Sequence, residues 1–262
     1  MTIQLFTIYN LKMKRFIYSI LFLVITLILQ AQVKPGEQLV FAGSYEMKGL
    51  MTNIAQVTMK TASMQTSKTN YMHLSLEMAT FSKWDSYFKI RDLYESYINP
   101  TTFKPALYKR NIYEGGYTKS EKYTFGADGT VKSVSKRRNR AEVQHTFKIN
   151  PATVDVVTLI YKLRASNLSA LKPGQAMNFT LVFDEKQFPV SVRYIGKETV
   201  NAGNLGKKEC YKLSIAAASN KLKGKDKNIV WLTADNKKVP ALIKFSIPVG
   251  VGQLTLTSAS GI

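Results

Sequence analysis

The sequence predicts a mainly β protein whose antiparallel strands form one large curved sheet, a half-barrel or a sandwich, with one central α-helix near residues 152–166. Three observations lead to this prediction. Apolar and polar residues alternate with a period of two through much of the chain, glycine-containing turns separate the alternating segments, and one segment has helical periodicity instead. Alternation of this kind is typical of strands that place one face on a core and the other in water.

The clearest alternation before the helix lies in three segments. Residues 55–60 carry apolar side chains at the odd positions, and residues 72–78 carry them at the even positions, with His73 on the polar side. Residues 141–149 alternate in the same way, with His145 on the apolar side. We therefore expect three half-buried strands at these places.

Two short turns connect strand-like segments in the first half of the chain. Asp128-Gly129 lies between Tyr123-Thr124-Phe125 and Val131, and Gly115-Gly116 lies between Glu114 and Tyr117. Pairs of this type form tight hairpin turns, because glycine adopts the left-handed backbone conformation that such turns require. The sequence therefore predicts antiparallel meanders.

One segment, residues 151–167, departs from the alternation. Its apolar residues Val156, Leu159, Ile160 and Leu163 follow the spacing of one helix face. Asn150 before Pro151 predicts a helix that begins at Pro151, with the asparagine as N-cap. After this helix we expect a second block of strands over residues 177–183, 188–195, 210–216, 229–233, 242–247 and 254–257.

The N-terminal segment has the features of a secretory signal peptide. Lys12, Lys14 and Arg15 precede an apolar run of 14 residues, 16–29, and Ala31 follows as the small residue at a cleavage site. The run is shorter than the roughly 20 residues that a spanning helix needs, so we expect no retained transmembrane helix; a retained anchor is the alternative. The predicted organisation is a signal peptide, 1–31, and a β-rich domain, 32–262; two strand-rich halves (32–150 and 168–262) joined by the helix are the alternative to one undivided domain.

The composition restricts both chemistry and partners. The chain has 37 Lys and Arg against 17 Asp and Glu, a net charge of +20, and removal of residues 1–31 takes away three basic residues and leaves +17. Outside the cell membrane such a charge favours anionic envelope lipids, glycans or protein partners, and makes nucleic acid an unlikely partner. One Cys and two His leave little for a zinc site, a disulfide framework or a cysteine nucleophile. We expect no metal and no cofactor.

Several short motifs match a known family in order and spacing. They are Arg91-Asp92-Leu93-Tyr94-Glu95-Ser96-Tyr97-Ile98, the Glu114-Gly115-Gly116-Tyr117 turn, the helix with Asp155, Tyr161, Leu163 and Arg164, Lys172-Pro173-Gly174, and Trp231-Leu232-Thr233-Ala234-Asp235 followed by Val239-Pro240. Through them nearly the whole mature chain resembles the bacterial envelope family called domain of unknown function 3108. The resemblance implies an exported β-rich protein, frequent in Gram-negative bacteria, in the periplasm or outer envelope. It implies no catalytic residue.

The densest mixed-charge region is the candidate ligand site. Its members are Arg91, Asp92, Tyr94, Glu95, Tyr97, Arg110 and Glu114. Paired carboxylates between aromatic walls can cleave glycosides, but Asp92 and Glu95 are three positions apart, so a regular strand directs them to opposite faces. Cross-strand salt bridges are therefore the favoured interpretation, and only a β-bulge would bring both carboxylates to one face. The aromatic rings either pack in the core or stack on sugar rings.

Two basic segments are candidate anion-docking surfaces, with solvated loops as the plainer alternative. Their members are Arg137, Arg138 and Arg140 in the first segment and Lys221, Lys223 and Lys225 in the second.

Three functions remain open from the sequence. The favoured one is a non-catalytic exported binding or carrier protein for an apolar or anionic envelope ligand. The others are an interaction protein that docks on anionic envelope polymers and a glycan-active enzyme that uses residues 91–97. The sequence makes no prediction of an oligomeric state. An open apolar cavity around the helix would favour a carrier, a filled core with projecting basic hairpins would favour docking, and two carboxylates facing each other in a cleft would favour an enzyme.

Overall fold

The computed structural model describes residues 33–67, 69–217, 228–247 and 250–262. The predicted signal peptide and Lys221, Lys223 and Lys225 lie outside these ranges. The described strands are β1 (Gln38–Met47), β2 (Leu50–Gln65), β3 (Asn70–Thr80), β4 (Arg91–Ile98), β5 (Pro105–Glu114), β6 (Tyr117–Phe125), β7 (Thr130–Arg137), β8 (Val143–Lys148), β9 (Thr153–Val154), β10 (Ala176–Phe183), β11 (Lys186–Asn201), β12 (Lys207–Ala217), β13 (Ile229–Thr233), β14 (Pro240–Ile247) and β15 (Gly250–Ser260). The helices are α1 (Ser82–Phe88), α2 (Val156–Ala165) and two 3₁₀ turns, Leu168–Ala170 and Gly203–Leu205.

All fifteen described strands belong to one sheet. Their order across it is β8-β7-β6-β5-β4-β3-β2-β1-β15-β14-β13-β12-β11-β10-β9. Neighbours are antiparallel except β9, which runs parallel to β10. Because β1 pairs with both β2 and β15, strands from before and after α2 share the sheet. The mainly β prediction is confirmed, in its single-sheet form; the division into two halves stays a prediction.

Strand alternation sets the two faces of the sheet as expected. Val57 and Met59 on β2 and Met72 and Leu74 on β3 are buried, whereas His73 lies on the opposite face. The residues of β8 keep this alternation, but β8 is an edge strand, and His145 stays more than half exposed although it shares the inner face. We call the face on the core the inner face and the other the outer face.

The predicted hairpin turns are present. Gly115 and Gly116 both have positive φ, 55° and 89°, and connect β5 to β6 as a two-residue turn. At the β6–β7 turn, an Asp128 carboxylate oxygen accepts a hydrogen bond from the Thr130 N–H at 3.0 Å, which stabilises the turn locally.

The central helix begins later than the sequence predicts. Its first residue is Val156, not Pro151, because Asp155 is the N-cap and accepts hydrogen bonds from the N–H groups of Val157 (3.0 Å) and Thr158 (2.9 Å). The preceding residues form β9 instead. The predicted N-cap, Asn150, accepts a hydrogen bond from the Ala152 N–H within a turn. The seven-residue α1 was not expected, since so short a helix leaves no periodicity to detect.

Two buried polar contacts hold α2 against the sheet. The Ser96 hydroxyl on β4 donates to Asp155 at 2.7 Å, and the Arg164 guanidinium donates to both carboxylate oxygens of Glu37 at 2.6 Å. These bonds satisfy charges that would otherwise be costly to bury. The helix is therefore fixed at both ends.

Of the predicted apolar stripe of the helix, only Leu163 is buried. Its buried residues are Val157, Thr158, Tyr161, Leu163 and Arg164. Leu159 and Ile160 are only half-buried, and they pack against two different apolar clusters. Because the curved sheet contacts α2 on more than one side, burial is not confined to the stripe.

The space between α2 and the inner face is filled by large side chains. Phe41, Tyr108, Tyr123 and Tyr161 are fully buried there in one cluster, and a second cluster lies between α2 and β10–β13. No helix in the described ranges has the length and apolar character needed to cross a membrane.

Candidate functional site

The candidate ligand residues do not form one site, because the strands place them on two faces. Asp92 and Tyr94 lie on the inner face of β4, and Glu95 and Tyr97 lie on the outer face. The pairing of β4 with β3 and β5 has no register shift between Asp92 and Glu95, so no bulge brings the two carboxylates together. The strand-parity prediction is confirmed. Arg91 is paired with Asp85 of α1 at 2.5 Å.

The inner-face charges form a buried ion network. Arg110 on β5 and Lys119 on β6 both contact Glu121, at 2.6 and 2.5 Å, and both contact Asp184 in the β10–β11 turn. The Arg110 and Lys119 side chains are 4% and 6% exposed. The Arg110 guanidinium also lies over the Phe183 ring, 4.2 Å from its centre. The predicted cross-strand salt bridge is therefore present for Arg110, with Glu121 as its partner.

Asp92 and Glu114 are a second inner-face feature. Burial, and after it the nearby Glu114 charge, raises the pKa of Asp92 to about 7, so the ionised form of Asp92 is unfavourable at this position. Asp92 is 5% exposed, and one of its oxygens accepts the Tyr113 N–H at 3.1 Å. A glycosidic bond cannot reach so enclosed a carboxyl unless the sheet opens. Glycosidases also use two neighbouring carboxyl groups, but theirs are open to the substrate, whereas Asp92 is enclosed.

The two-residue turn between β10 and β11 closes the curved sheet, and we call Asp184 and Glu185 the clasp turn. Glu185 accepts hydrogen bonds from Ser133 on β7 at 2.5 Å and contacts His145 on β8 at 2.8 Å. Its N–H donates to the Tyr123 hydroxyl at 2.9 Å. Strands β5 to β8 are far from β10 in the sheet order, so these contacts join two distant parts of one sheet.

The outer face carries an ordered aromatic pair. The rings of His73 and Tyr97 stack with centres 4.5 Å apart and an angle of 18°. Glu95 holds both of them, with one oxygen 2.9 Å from the His73 ring nitrogen and the same oxygen accepting the Tyr97 hydroxyl at 3.4 Å. The Lys109 ammonium lies 5.4 Å from the Tyr97 ring centre. The Tyr97 ring is therefore fixed before any ligand arrives.

An open groove lies beside this ring. Its volume is about 480 Å³, and its lining includes Tyr71, Tyr97, Leu107, Lys109, Lys122 and Thr124. Lys109 and Lys122 are direct cross-strand partners in the register of β5 and β6. Like charges in such positions repel. Among the described residues neither lysine forms an ion pair with a carboxylate.

A second groove, of about 290 Å³, continues along the same strands. Its lining includes Asn111, Thr118, Ser120, Lys136, Arg137 and Arg138. Two of the predicted anion-docking residues, Arg137 and Arg138, line this groove. Arg138 donates a hydrogen bond to the Gly116 carbonyl at 2.7 Å, and Arg137 and Arg140 are exposed.

Sequence reasoning missed Tyr71, Lys109 and Lys122, although a signal for the two lysines is present. The Gly115-Gly116 turn pairs Glu114 with Tyr117, and counting outward from that pair places Lys109 opposite Lys122. The clasp turn has no comparable signal, since its contacts join residues 40 to 74 positions apart.

The structure is that of a β-rich protein with a filled interior, and comparison with known proteins agrees at the level of family and fold. The family model "Protein of unknown function (DUF3108)" matches residues 44–257, so the chain belongs to this family. The resemblance noted from the motifs is thereby confirmed. None of the curated proteins compared with the chain is similar to it in sequence.

Two solved structures match most of the chain. A β-barrel-like protein with domain of unknown function DUF1849, from Brucella abortus, has a TM-score of 0.56 and 10% identity, and the match covers 86% of this chain and 97% of that one. A putative exported protein with a YmcC-like fold, from Bacteroides fragilis, has a TM-score of 0.33 and 10% identity over 87% and 96% of the two chains. The first similarity shows the fold alone.

Proposed function

We propose that this chain is a non-catalytic, exported binding protein that docks an anionic ligand of the bacterial envelope on the outer face of β4–β7. The observation that carries the proposal is the Lys109–Lys122 pair beside the fixed Tyr97 ring. Two adjacent like charges cost stability in the free protein, and Glu95, the cross-strand neighbour of Lys109 on β4, is paired with His73 instead. An anion placed between them removes the repulsion and gains two charge-assisted contacts.

The N-terminal sequence supports an envelope location. Lys12, Lys14 and Arg15 followed by an apolar run are typical of an export signal, and the remaining chain keeps a net charge of +17. In the periplasm or outer envelope, the abundant opposite charges are carried by lipid phosphates and acidic glycans. Docking of an anionic polymer is thus favoured over transport of an apolar ligand, because α2 and its neighbours fill the interior.

The arrangement of reactive groups favours binding over catalysis. Asp92 and Glu95 are on opposite faces, and Asp92 is enclosed. Cys210 is buried, and burial raises the pKa of its thiol to about 11, which keeps it protonated and unreactive at neutral pH.

The proposal is tested by binding measurements on the full chain expressed in a Gram-negative host and purified from its envelope. We expect fluorescence anisotropy to detect binding to polygalacturonate and polyphosphate but not to neutral dextran, weakening between about 50 and about 500 mM NaCl as screening increases. The double variant Lys109→Ala/Lys122→Ala is expected to bind about tenfold more weakly, a loss of about 1.4 kcal/mol.

The matched control removes two lysines from another part of the sheet, Lys207→Ala/Lys208→Ala on β12. Its affinity is expected to stay within about twofold of the unmodified chain, because it keeps the outer-face pair. Equal losses in the two double variants would show that net charge alone attracts the polymer, and the proposed site would be wrong.

A further inference from the structure

The two outer-face grooves lie along the same pair of strands. We define the outer stripe as Tyr97, Lys109, Lys122, Ser120, Lys136 and Arg138, the outward-facing residues that run from one groove to the other. On β6 the outward positions extend from Thr118 to Thr124, which is about 20 Å at 3.3 Å per residue. The stripe is therefore suited to an extended ligand with several repeating units rather than to one small anion.

The cationic groups repeat along this length. Lys109 and Lys122 lie near one end. Lys136 lies one outward position further along, level with Asn111 and Ser120, and Arg138 follows beside Thr118 at the other end. Among the described residues, Lys136 also lacks an ion-pair partner. A polymer with a negative charge on each unit would therefore meet positive charge at each of these three levels, with the hydrogen-bonding groups of Asn111 and Ser120 beside Lys136.

The aromatic end distinguishes a sugar polymer from other polyanions. The Tyr97 ring is held by His73 and Glu95, and Tyr71 lines the same groove. A sugar ring has an apolar C–H face and a polar hydroxyl edge, so it matches a surface on which tyrosine rings adjoin ammonium groups. Polyphosphate has no such face, and a flat membrane surface would not enter two grooves.

We propose that the ligand of the outer stripe is an acidic polysaccharide, with one sugar ring packed against Tyr97 and Tyr71 in the first groove and its carboxylates bound by Lys109, Lys122 and, further along, Lys136 and Arg138. This inference rests on the proposed function and adds the ligand class. Because Tyr97 is preorganised, little side-chain entropy is lost when the sugar binds.

The experiment compares polygalacturonate, polyphosphate and a galacturonate disaccharide as probes, again with the full chain. Tyr97→Ala is expected to weaken polygalacturonate binding about tenfold, a loss of about 1.4 kcal/mol, and to leave polyphosphate binding unchanged. Tyr97→Phe keeps the ring and is expected to bind like the unmodified chain. The control Tyr87→Ala removes an 80% exposed ring on α1 and is expected to change neither affinity.

A surface variant tests the length of the site without disturbing the aromatic pair. Lys136 is exposed, so Lys136→Ala is expected to fold normally and to weaken the polymer several-fold while leaving the disaccharide unaffected. If both acidic polymers bind and Tyr97→Ala and Lys136→Ala change neither, the acidic-polysaccharide inference is wrong and the proposed anionic docking stands. If neither acidic polymer binds, both proposals fail.

Discussion

Asp92 and Glu95 are three positions apart on one strand, and their carboxyl groups lie in different environments on opposite faces of the sheet. Asp92 faces the core beside Glu114, where water is excluded and the charged form is unfavourable. Glu95 faces outward, where it orients His73 and Tyr97 and its side chain is 17% exposed. The inner carboxyl therefore affects stability, and the outer one organises a surface. The cross-strand salt bridge expected for this region belongs to Arg110 and not to Asp92.

The first prediction concerns the pH dependence caused by Asp92. Its pKa rises from 3.8 in the unfolded chain to about 7 in the folded protein, so the folded state holds a proton that the unfolded state releases. The contribution of Asp92 to stability is thus greatest at low pH and is lost as the pH rises toward 7. Asp92→Asn keeps an acceptor for the Tyr113 N–H but cannot ionise. Urea melts at several pH values should show the variant gaining stability over the unmodified chain between pH 4 and pH 7.

The urea melts near pH 4 are the control for this prediction. Near pH 4 the folded-state carboxyl is neutral in the unmodified chain, so the two proteins should differ least there. A stability difference that is constant across the range would contradict the assigned pKa.

The clasp turn is the element on which closure of the sheet depends most directly. Asp184 and Glu185 both have positive φ, 49° and 61°, a conformation that costs non-glycine residues energy. Contacts with Arg110, Lys119 and His145 offset that cost. Although burial opposes it, hydrogen bonds from Ser133 and His145 lower the pKa of Glu185, which keeps the clasp turn charged.

The second prediction follows from this turn. Asp184→Asn tolerates the left-handed conformation but removes the charge shared by Arg110 and Lys119. Breaking a buried pair costs about 3 to 5 kcal/mol, and because the Asp184 side chain is 28% exposed we expect a smaller loss, about 1 to 3 kcal/mol, in urea melts.

Asp128→Asn is the matched control, since Asp128 also lies in a hairpin turn and pairs with a lysine, but on the surface. It should leave the urea midpoint nearly unchanged. Equal effects of the two substitutions would show that the clasp turn is an ordinary surface hairpin.

At the scale of the whole molecule, the excess of positive charge is related to the proposed export. The chain has more than twice as many basic as acidic residues, and several of its acids are occupied in ion pairs with bases. The positive charge that remains on the outer face of β5–β7 is therefore available to polyanions. In the cytoplasm such a surface would attract nucleic acid. The proposed export would separate the protein from that competing polyanion.

The third prediction concerns export itself. We expect the protein in the cell envelope to begin at Gln32, because Ala31 provides the small residue that signal cleavage requires. N-terminal sequencing of material from the native envelope checks this. Recovery of the chain with residues 16–29 intact would contradict it and would favour the retained anchor.

The local sequence was sufficient to predict the faces of the strands and the tight turns. Alternation assigned Leu74 to the core and His73 to the outside, and Gly115-Gly116 defined a hairpin whose register implies the Lys109–Lys122 pair. These features depend on residues that are close in sequence, since side-chain direction follows from the period of two and register follows from turn length.

The tertiary structure decided which distant residues meet. Asp184 reaches Arg110, and Arg164 reaches Glu37 across 127 positions, only because the sheet curves around α2. The start of α2 was likewise decided by tertiary contacts, as β9 pairs with β10 and Asp155 bonds to Ser96. No local pattern encodes such contacts. Each charged or capping side chain has many candidate partners along the sequence, and the curvature of the whole sheet decides which of them it meets.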